Sequence, residues 1–200
     1  MISYIMDNTY IKSKLIDSAR VIERVVTDDV LVFTIDLVSK EMAATLKNGG
    51  KILICGSGLA ASIAENMAAS LSGKIERDRP PLNAEALHNN TSFLTGVATE
   101  YGFDEAYARM VLAVGNPGDM LIGISCGGRN TEVLNALAMA SKIGLKTIGI
   151  CPFEEQRMDN LCEEVIKVSG GGSWQRTQEC QIIICNIMCE IAESLAYRLV

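Results

Sequence analysis

The stretch Gly118-Asp-Met-Leu-Ile-Gly-Ile-Ser-Cys-Gly-Gly-Arg-Asn130 is an apolar run that ends in Ser125 and a glycine-rich turn. An amphipathic segment, Asn130 to Lys142, follows it directly. A strand that enters a helix through Ser125, Cys126, Gly127, Gly128, Arg129 and Asn130 aims backbone N–H groups and short side chains at one point. That is the chemistry an anion such as phosphate requires. The guanidinium of Arg129 adds a bidentate donor suited to the same ligand. A second turn of this kind, Gly56-Ser57-Gly58, follows the apolar run Lys51 to Cys55. No lysine follows the glycines as in a Walker loop, and Gly56-Ser-Gly58-Leu-Ala-Ala61 lacks the third glycine of a dinucleotide fingerprint. The pattern therefore speaks against ATP and NAD and for a phosphorylated small molecule.

Both turns need strands and helices to hold them. From Tyr10 to Leu46 the apolar residues recur at helical spacing, with Asp28 and Asp29 as a cap between two helices and Asn48-Gly-Gly50 as the stop. Lys51 to Cys55 predicts a buried strand, Ala60 to Leu71 a helix, Ala84 to Leu87 a second strand, and Thr91 to Ala98 and Asp104 to Val114 short helices. Met120 to Ser125, Lys146 to Cys151 and Val165 to Val168 complete five strands. Gln175 to Leu199 reads as a long helix, apolar on most of its circumference, which needs more than one packing neighbour. Strands alternating with helices predict an α/β fold with a parallel sheet covered on both faces. Its ligand site lies beyond the carboxyl ends of the strands, where both turns fall.

At 200 residues the chain can bury roughly 70% of its unfolded surface in one core without metal or disulfide staples. A net charge of −6, with no clustered Lys and Arg, excludes a nucleic-acid surface. The mixed run Lys74 to Arg79 reads as a solvated turn. Seven cysteines are scattered through apolar segments without CxxC spacing, as expected for reduced, buried thiols. Cys185 and Cys189 lie one helical turn apart but lack further ligands, so no metal site is expected from them. With no signal peptide and no apolar run near the ~18 residues of a membrane span, the expected setting is soluble and cytoplasmic.

Taken with Asn48-Gly-Gly-Lys-Ile-Leu-Ile-Cys-Gly-Ser-Gly58, several local strings carry a resemblance. They are Leu71-Ser-Gly73, Glu76-Arg-Asp-Arg-Pro80, Glu100-Tyr-Gly-Phe103, Gly118-Asp119 and Gln178-Glu179. In this order and spacing the chain resembles the SIS (sugar isomerase) family of phosphosugar-binding domains, in its phosphoheptose isomerase branch, over nearly its whole length. The resemblance implies a flavodoxin-like three-layer αβα domain spanning 1–200, with a five-stranded parallel sheet. The extra helical segment 1–48 would contribute to oligomerisation. It also implies a homotetramer with active sites shared between subunits, a phosphorylated sugar as ligand, and aldose–ketose isomerisation through an enediol.

The same resemblance marks departures. The family pattern places a His and, one turn later, a Glu on the first helix after the sheet begins, then a Gln and a later His on the last helix. Here those positions are Asn66, Ser70, Gln178 and Asn186. Some relatives bind zinc between these positions, but three of the four residues here are poor ligands or bases, so no cofactor is expected. The phosphate turn loses two hydroxyls, at Gly127 and Asn130, and in the first turn Ser57 replaces the usual Asn and Ala60 the usual Ser. The remaining catalytic candidates are Gln178, Glu65, Glu100 and the only histidine, His88. Glu65 is rotated by roughly 140° from Ser70 at about 100° per residue, so it does not simply replace the missing base. His88 follows the second strand at the ligand end of the sheet and reads either as a base or as a hydrogen-bonded loop histidine. Two functions fit: a D-sedoheptulose 7-phosphate isomerase with replaced catalytic residues, or a non-catalytic SIS module. The latter binds a sugar phosphate or a protein partner, as in the branch that associates with the replication initiator.

Overall fold

A computed structural model of the chain describes residues 8–75, 78–128 and 130–197. Two long helices open it, α1 (Asn8–Val26) and α2 (Asp29–Lys47). The Asp28 carboxylate accepts from Leu31 N–H at 3.0 Å, capping α2 where the sequence predicts. Five strands follow: β1 (Ile52–Gly56), β2 (Ala84–Ala86), β3 (Met120–Ile124), β4 (Lys146–Pro152) and β5 (Glu164–Val168). Between and after them lie α3 (Leu59–Ser72), α4 (Thr91–Tyr101), α5 (Ala106–Val114), α6 (Thr131–Lys142) and α7 (Trp174–Ala196). Short 3-10 turns occupy Leu87–Asn89, Phe103–Glu105 and Arg157–Asn160.

The strands form one parallel sheet in the order β2-β1-β3-β4-β5. Every residue of β1 and β3 is buried, as a central parallel strand covered on both faces requires. Alternation sends Ile52 and Ile54 into a core built with α2, α3 and α7, and Leu53 and Cys55 into a second core under α5 and α6. This is the three-layer α/β arrangement expected. The chain leaves β1 towards β2 on one side and returns as β3 on the other, so the topological switch point lies between β1 and β3.

Element ends move by one to three residues from the sequence reading. β1 runs one residue further, Asn130 stands outside α6 as its cap, and α4 continues to Tyr101. One expectation fails on physical grounds. Lys74 to Arg79 is not simply a solvated turn, because the Arg79 side chain is only 3% exposed. Its Nε donates to Glu193 Oε1 on α7 at 2.5 Å, and its other nitrogens donate to the carbonyls of Ser70, Leu71, Gly73 and Pro80. The end of α3 leaves carbonyls without partners, and one buried guanidinium satisfies them. Glu76 and Arg77, between these residues, lie outside the described residues.

Candidate functional site

The two glycine turns lie side by side at the carboxyl ends of β1 and β3, where Gly56 pairs in register with Ile124. In the first turn Gly56 is required by packing, because a Cβ there would stand 2.8 Å from Ala60 on α3. Gly58, at φ 59° and ψ −120°, opens α3 in a conformation that side chains avoid. Tyr107 of α5 is buried and donates its hydroxyl to Gly56 O at 2.7 Å, fixing this turn from below. Burial pushes the Tyr107 hydroxyl up to about 12. Ser57 Oγ is buried beside the Tyr107 hydroxyl, where it works against the effect of burial on that group, and makes no well-formed hydrogen bond.

The second turn is tied to itself. Ser125 is fully buried, and its Oγ accepts from Asn130 Nδ2 at 2.7 Å and from Gly127 N–H at 3.2 Å. Asn130 Nδ2 also donates to Gly127 O at 2.9 Å. Asn130 itself holds a left-handed backbone, φ 45° and ψ 34°, the only positive-φ residue other than glycine among the described residues. On α7 Gln181 is buried and bridges the start of the turn, donating to Ser125 O at 2.8 Å and accepting from Cys126 Sγ at 3.2 Å. Burial raises the Cys126 thiol to about 11. Trp174 lies over Gly127, where an added Cβ would meet the indole at 3.3 Å. A cavity of about 300 Å³ opens beside the turn, bounded by Gly127, Gly128, Glu155, Trp174 and Thr177. Arg129, the expected phosphate arginine, lies outside the described residues.

Of the four positions singled out on α3 and α7, two meet. Asn66 Nδ2 donates to Asn186 Oδ1 at 2.7 Å, and Gln178 Nε2 donates to Leu59 O at 3.4 Å. Ser70 gives its carbonyl to Arg79. Thus the positions that carry histidines in the family pattern do meet, as a pair of amides. No group of three or more His, Cys, Asp or Glu among the described residues is placed to hold a metal ion.

Two other candidates are also brought together. His88, in the 3-10 turn after β2, places Nε2 3.1 Å from Glu65 Oε1 on α3. The histidine side chain is 13% exposed and the glutamate 59%, so the pair spans the boundary between core and solvent. The approach is off the line of the ring N–H, and neither ring nitrogen of His88 makes a hydrogen bond. Glu100 is exposed on the last turn of α4, with no hydrogen bond or ion pair among the described residues that ties it to this centre.

Sequence reasoning missed Tyr107, Gln181 and Trp174, which shape the turns from distant helices. Gln181 has a signal in hindsight: it follows Gln178 by three residues and is a polar side chain in an otherwise apolar stretch of α7. It also missed Glu132, a carboxylate buried in the first turn of α6, whose charge adds to burial in raising Cys55 and Tyr107.

Residues 16–151 match the model of the SIS domain family. The chain is 39% identical over 184 residues to the phosphoheptose isomerase of Chlorobaculum parvum, covering 91% of this chain and 87% of that one. To the phosphoheptose isomerase of Aneurinibacillus thermoaerophilus it is 34% identical, over 96% of both chains. Among solved structures, the phosphoheptose isomerase of Neisseria gonorrhoeae superposes with a TM-score of 0.85 at 28% identity, covering 93% of this chain and 98% of that one. The crevice between β1 and β3, its two glycine turns and these similarities together place the chain in the SIS domain family, among its phosphoheptose isomerase-like members.

Proposed function

We propose that the chain binds a phosphorylated ketose in the crevice between β1 and β3 and interconverts it with the aldose, as a D-sedoheptulose 7-phosphate isomerase with relocated proton-transfer groups. The observation that carries this reading is the contact of His88 Nε2 with Glu65 Oε1 at the carboxyl end of the sheet. An aldose–ketose interconversion needs a base that takes a proton from one carbon and returns it to the next, and a donor at the carbonyl oxygen. His88 takes the proton, the Glu65 carboxylate stabilises the imidazolium so formed, and His88 returns the proton to the adjacent carbon of the enediol. The Ser57 hydroxyl gives a proton to the carbonyl oxygen and takes one from the neighbouring hydroxyl as the enediol forms and collapses, and the amide of Gln178 hydrogen-bonds these oxygens. The phosphate sits against Gly58 and the Gly127–Gly128 backbone, with Arg129 as its cation. Glu100 takes no part in this scheme.

Asn66, Ser70, Gln178 and Asn186 offer no thiolate, imidazole or carboxylate, a donor set unsuited to zinc, and no step is routed through a metal. A second reading rests on the same residues. The Asn66–Asn186 amide pair closes the place where the family pattern has its histidines, which favours a non-catalytic module that holds a sugar phosphate or a protein partner. In either case a homo-oligomer, with the tetramer as the family's form, fits the exposed apolar side chains of Leu15, Val30 and Phe33 on α1 and α2 and of Ile183 and Ile187 beside Asn186 on α7. No helix among the described residues is long and apolar enough to cross a membrane, which is compatible with a cytoplasmic enzyme.

Conversion of sedoheptulose 7-phosphate, with and without added zinc, separates the two readings. The isomerase predicts zinc-independent turnover that falls by about 10² or more in His88→Ala. Background rates with intact sugar-phosphate binding would leave the non-catalytic module.

A further inference from the structure

Between α1 and the loop that leads into α7 lies a cleft of about 610 Å³, whose floor at Gly170, Gly172 and Ser173 it shares with the cavity beside the second glycine turn. Its walls carry Lys14, Arg20, Arg24 and Arg176 against one carboxylate, Asp17. This concentration of positive charge stands out in a chain of net charge −6. Asp17 is shared between Lys14 at 3.3 Å and Arg20 at 3.8 Å, which leaves an excess of cation. Arg24 has no ion pair among the described residues and comes up against Gly171, where an added Cβ would meet its Nη1 at 3.6 Å. Arg176 pairs with Glu179 and donates to Lys14 O at 3.0 Å, but its Nε is buried and has no hydrogen-bond partner.

The floor is Gly170-Gly171-Gly172-Ser173. Gly171 and Gly172 have positive φ, 61° and 83°, so the loop turns without side chains that would bar approach to its backbone. The loop opens directly into α7, a helix of 23 residues whose first-turn N–H groups favour negative charge. The charges on the walls are what point to a ligand, and the helix end adds to them. Like-charged side chains gathered around a cleft repel one another unless an anion lies between them. Guanidinium forks match phosphate oxygens two at a time, which favours a phosphate over a single carboxylate. The volume falls within the range of small-molecule sites, roughly 300–1,000 Å³, and is larger than one phosphate needs.

We propose that this cleft is a second anion site, adjoining the sugar-phosphate crevice across the Gly170–Ser173 loop, which takes a small molecule bearing a diphosphate group. Its occupant bridges α1 to the start of α7. Arg176 stands two residues before Gln178, so the same helix end serves both sites, and the bound anion braces the wall of the crevice.

Inorganic pyrophosphate is the direct probe, titrated into the full chain at low ionic strength with calorimetry and thermal unfolding as readouts. The expected result is saturable binding that raises the melting temperature. In the double variant Arg20→Ala/Arg24→Ala, which changes two exposed positions of α1, affinity should fall by at least about tenfold, while helical content by circular dichroism stays as in the wild type. The single variant Arg24→Lys should fall between the two. Asn130→Gly, in the second glycine turn, should leave pyrophosphate affinity unchanged. No saturable binding to the wild type, or binding indifferent to the arginine pair but lost in Asn130→Gly, would overturn the proposal. None of these outcomes depends on isomerase activity, so the sugar-phosphate reading stands or falls separately.

Discussion

The two glycine turns at the switch point have the same plan and opposite economies of hydrogen bonding. The turn after β1 is held by Tyr107 through the backbone carbonyl of Gly56, and it leaves Ser57 Oγ buried beside the Tyr107 hydroxyl without a well-formed hydrogen bond. The turn after β3 consumes its polar groups internally: Asn130 spans it from Nδ2 to Ser125 Oγ and Gly127 O, and Gly127 N–H also points back at Ser125. A buried hydroxyl without a well-formed hydrogen bond is costly in the empty protein and becomes favourable when a ligand supplies a better partner. A turn that is already satisfied offers a ligand only shape and outward backbone donors. The first turn is therefore the discriminating half of the crevice and the second the rigid half.

Substitutions can break that contrast in order of size. Asn130→Ala removes two hydrogen bonds, leaves the buried Ser125 hydroxyl only the Gly127 N–H donor and keeps a left-handed backbone that alanine disfavours, so it should destabilise the fold by about 2–4 kcal/mol in urea unfolding. Asn130→Gly should recover about 1 kcal/mol of that loss by accepting the positive φ. Tyr107→Phe should cost about 1–2 kcal/mol and weaken sugar-phosphate binding, because the first turn loses its fixed carbonyl. Ser57→Ala sharpens the contrast: stability should change by less than about 0.5 kcal/mol or rise slightly, while the thermal shift given by a sugar phosphate shrinks. A loss of several kcal/mol in Ser57→Ala would show that its hydroxyl is structural after all.

A further effect is one of pH. Burial raises Cys126 in the second turn, and Cys180 behind it, from 9.0 to about 11. The folded chain keeps these thiol protons at a pH where the unfolded chain has released them. Stability is therefore fully present below pH 9 and declines as pH rises from there towards 11. The urea midpoint should fall between pH 8.5 and 10.5, both values chosen to bracket the unfolded thiol pKa of about 8.5–9, and fall less in Cys126→Ala. At neutral pH alkylation of Cys126 should be slow in the folded chain and fast once unfolded.

The alternation of buried strands and amphipathic helices was readable because period and length report it directly, and both turns announced themselves by glycine and serine after an apolar run. The side chains that finish the turns did not. Whether Asn130 faces a ligand or folds back on Ser125 depends on a left-handed backbone that the residue types permit but do not require. The meeting of His88 with Glu65 follows from β2 lying at the sheet edge beside β1, a topological fact absent from local patterns. Arg79 was misread because a mixed charge run normally faces water. Its burial depends on Glu193, which approaches from the far end of the chain. Asn66 and Asn186 were matched only through the family resemblance, and their hydrogen bond shows that the matched positions face each other.

Proton handling at His88 is what distinguishes an isomerase from a binding module. Incubation with sedoheptulose 7-phosphate in D2O, followed by proton NMR of the carbons next to the carbonyl, measures that step without requiring net conversion. The account predicts deuterium incorporation by the wild type, its loss in His88→Ala, and its retention in Asn186→Ala. Absence of exchange in the wild type, or exchange that survives His88→Ala, would contradict it.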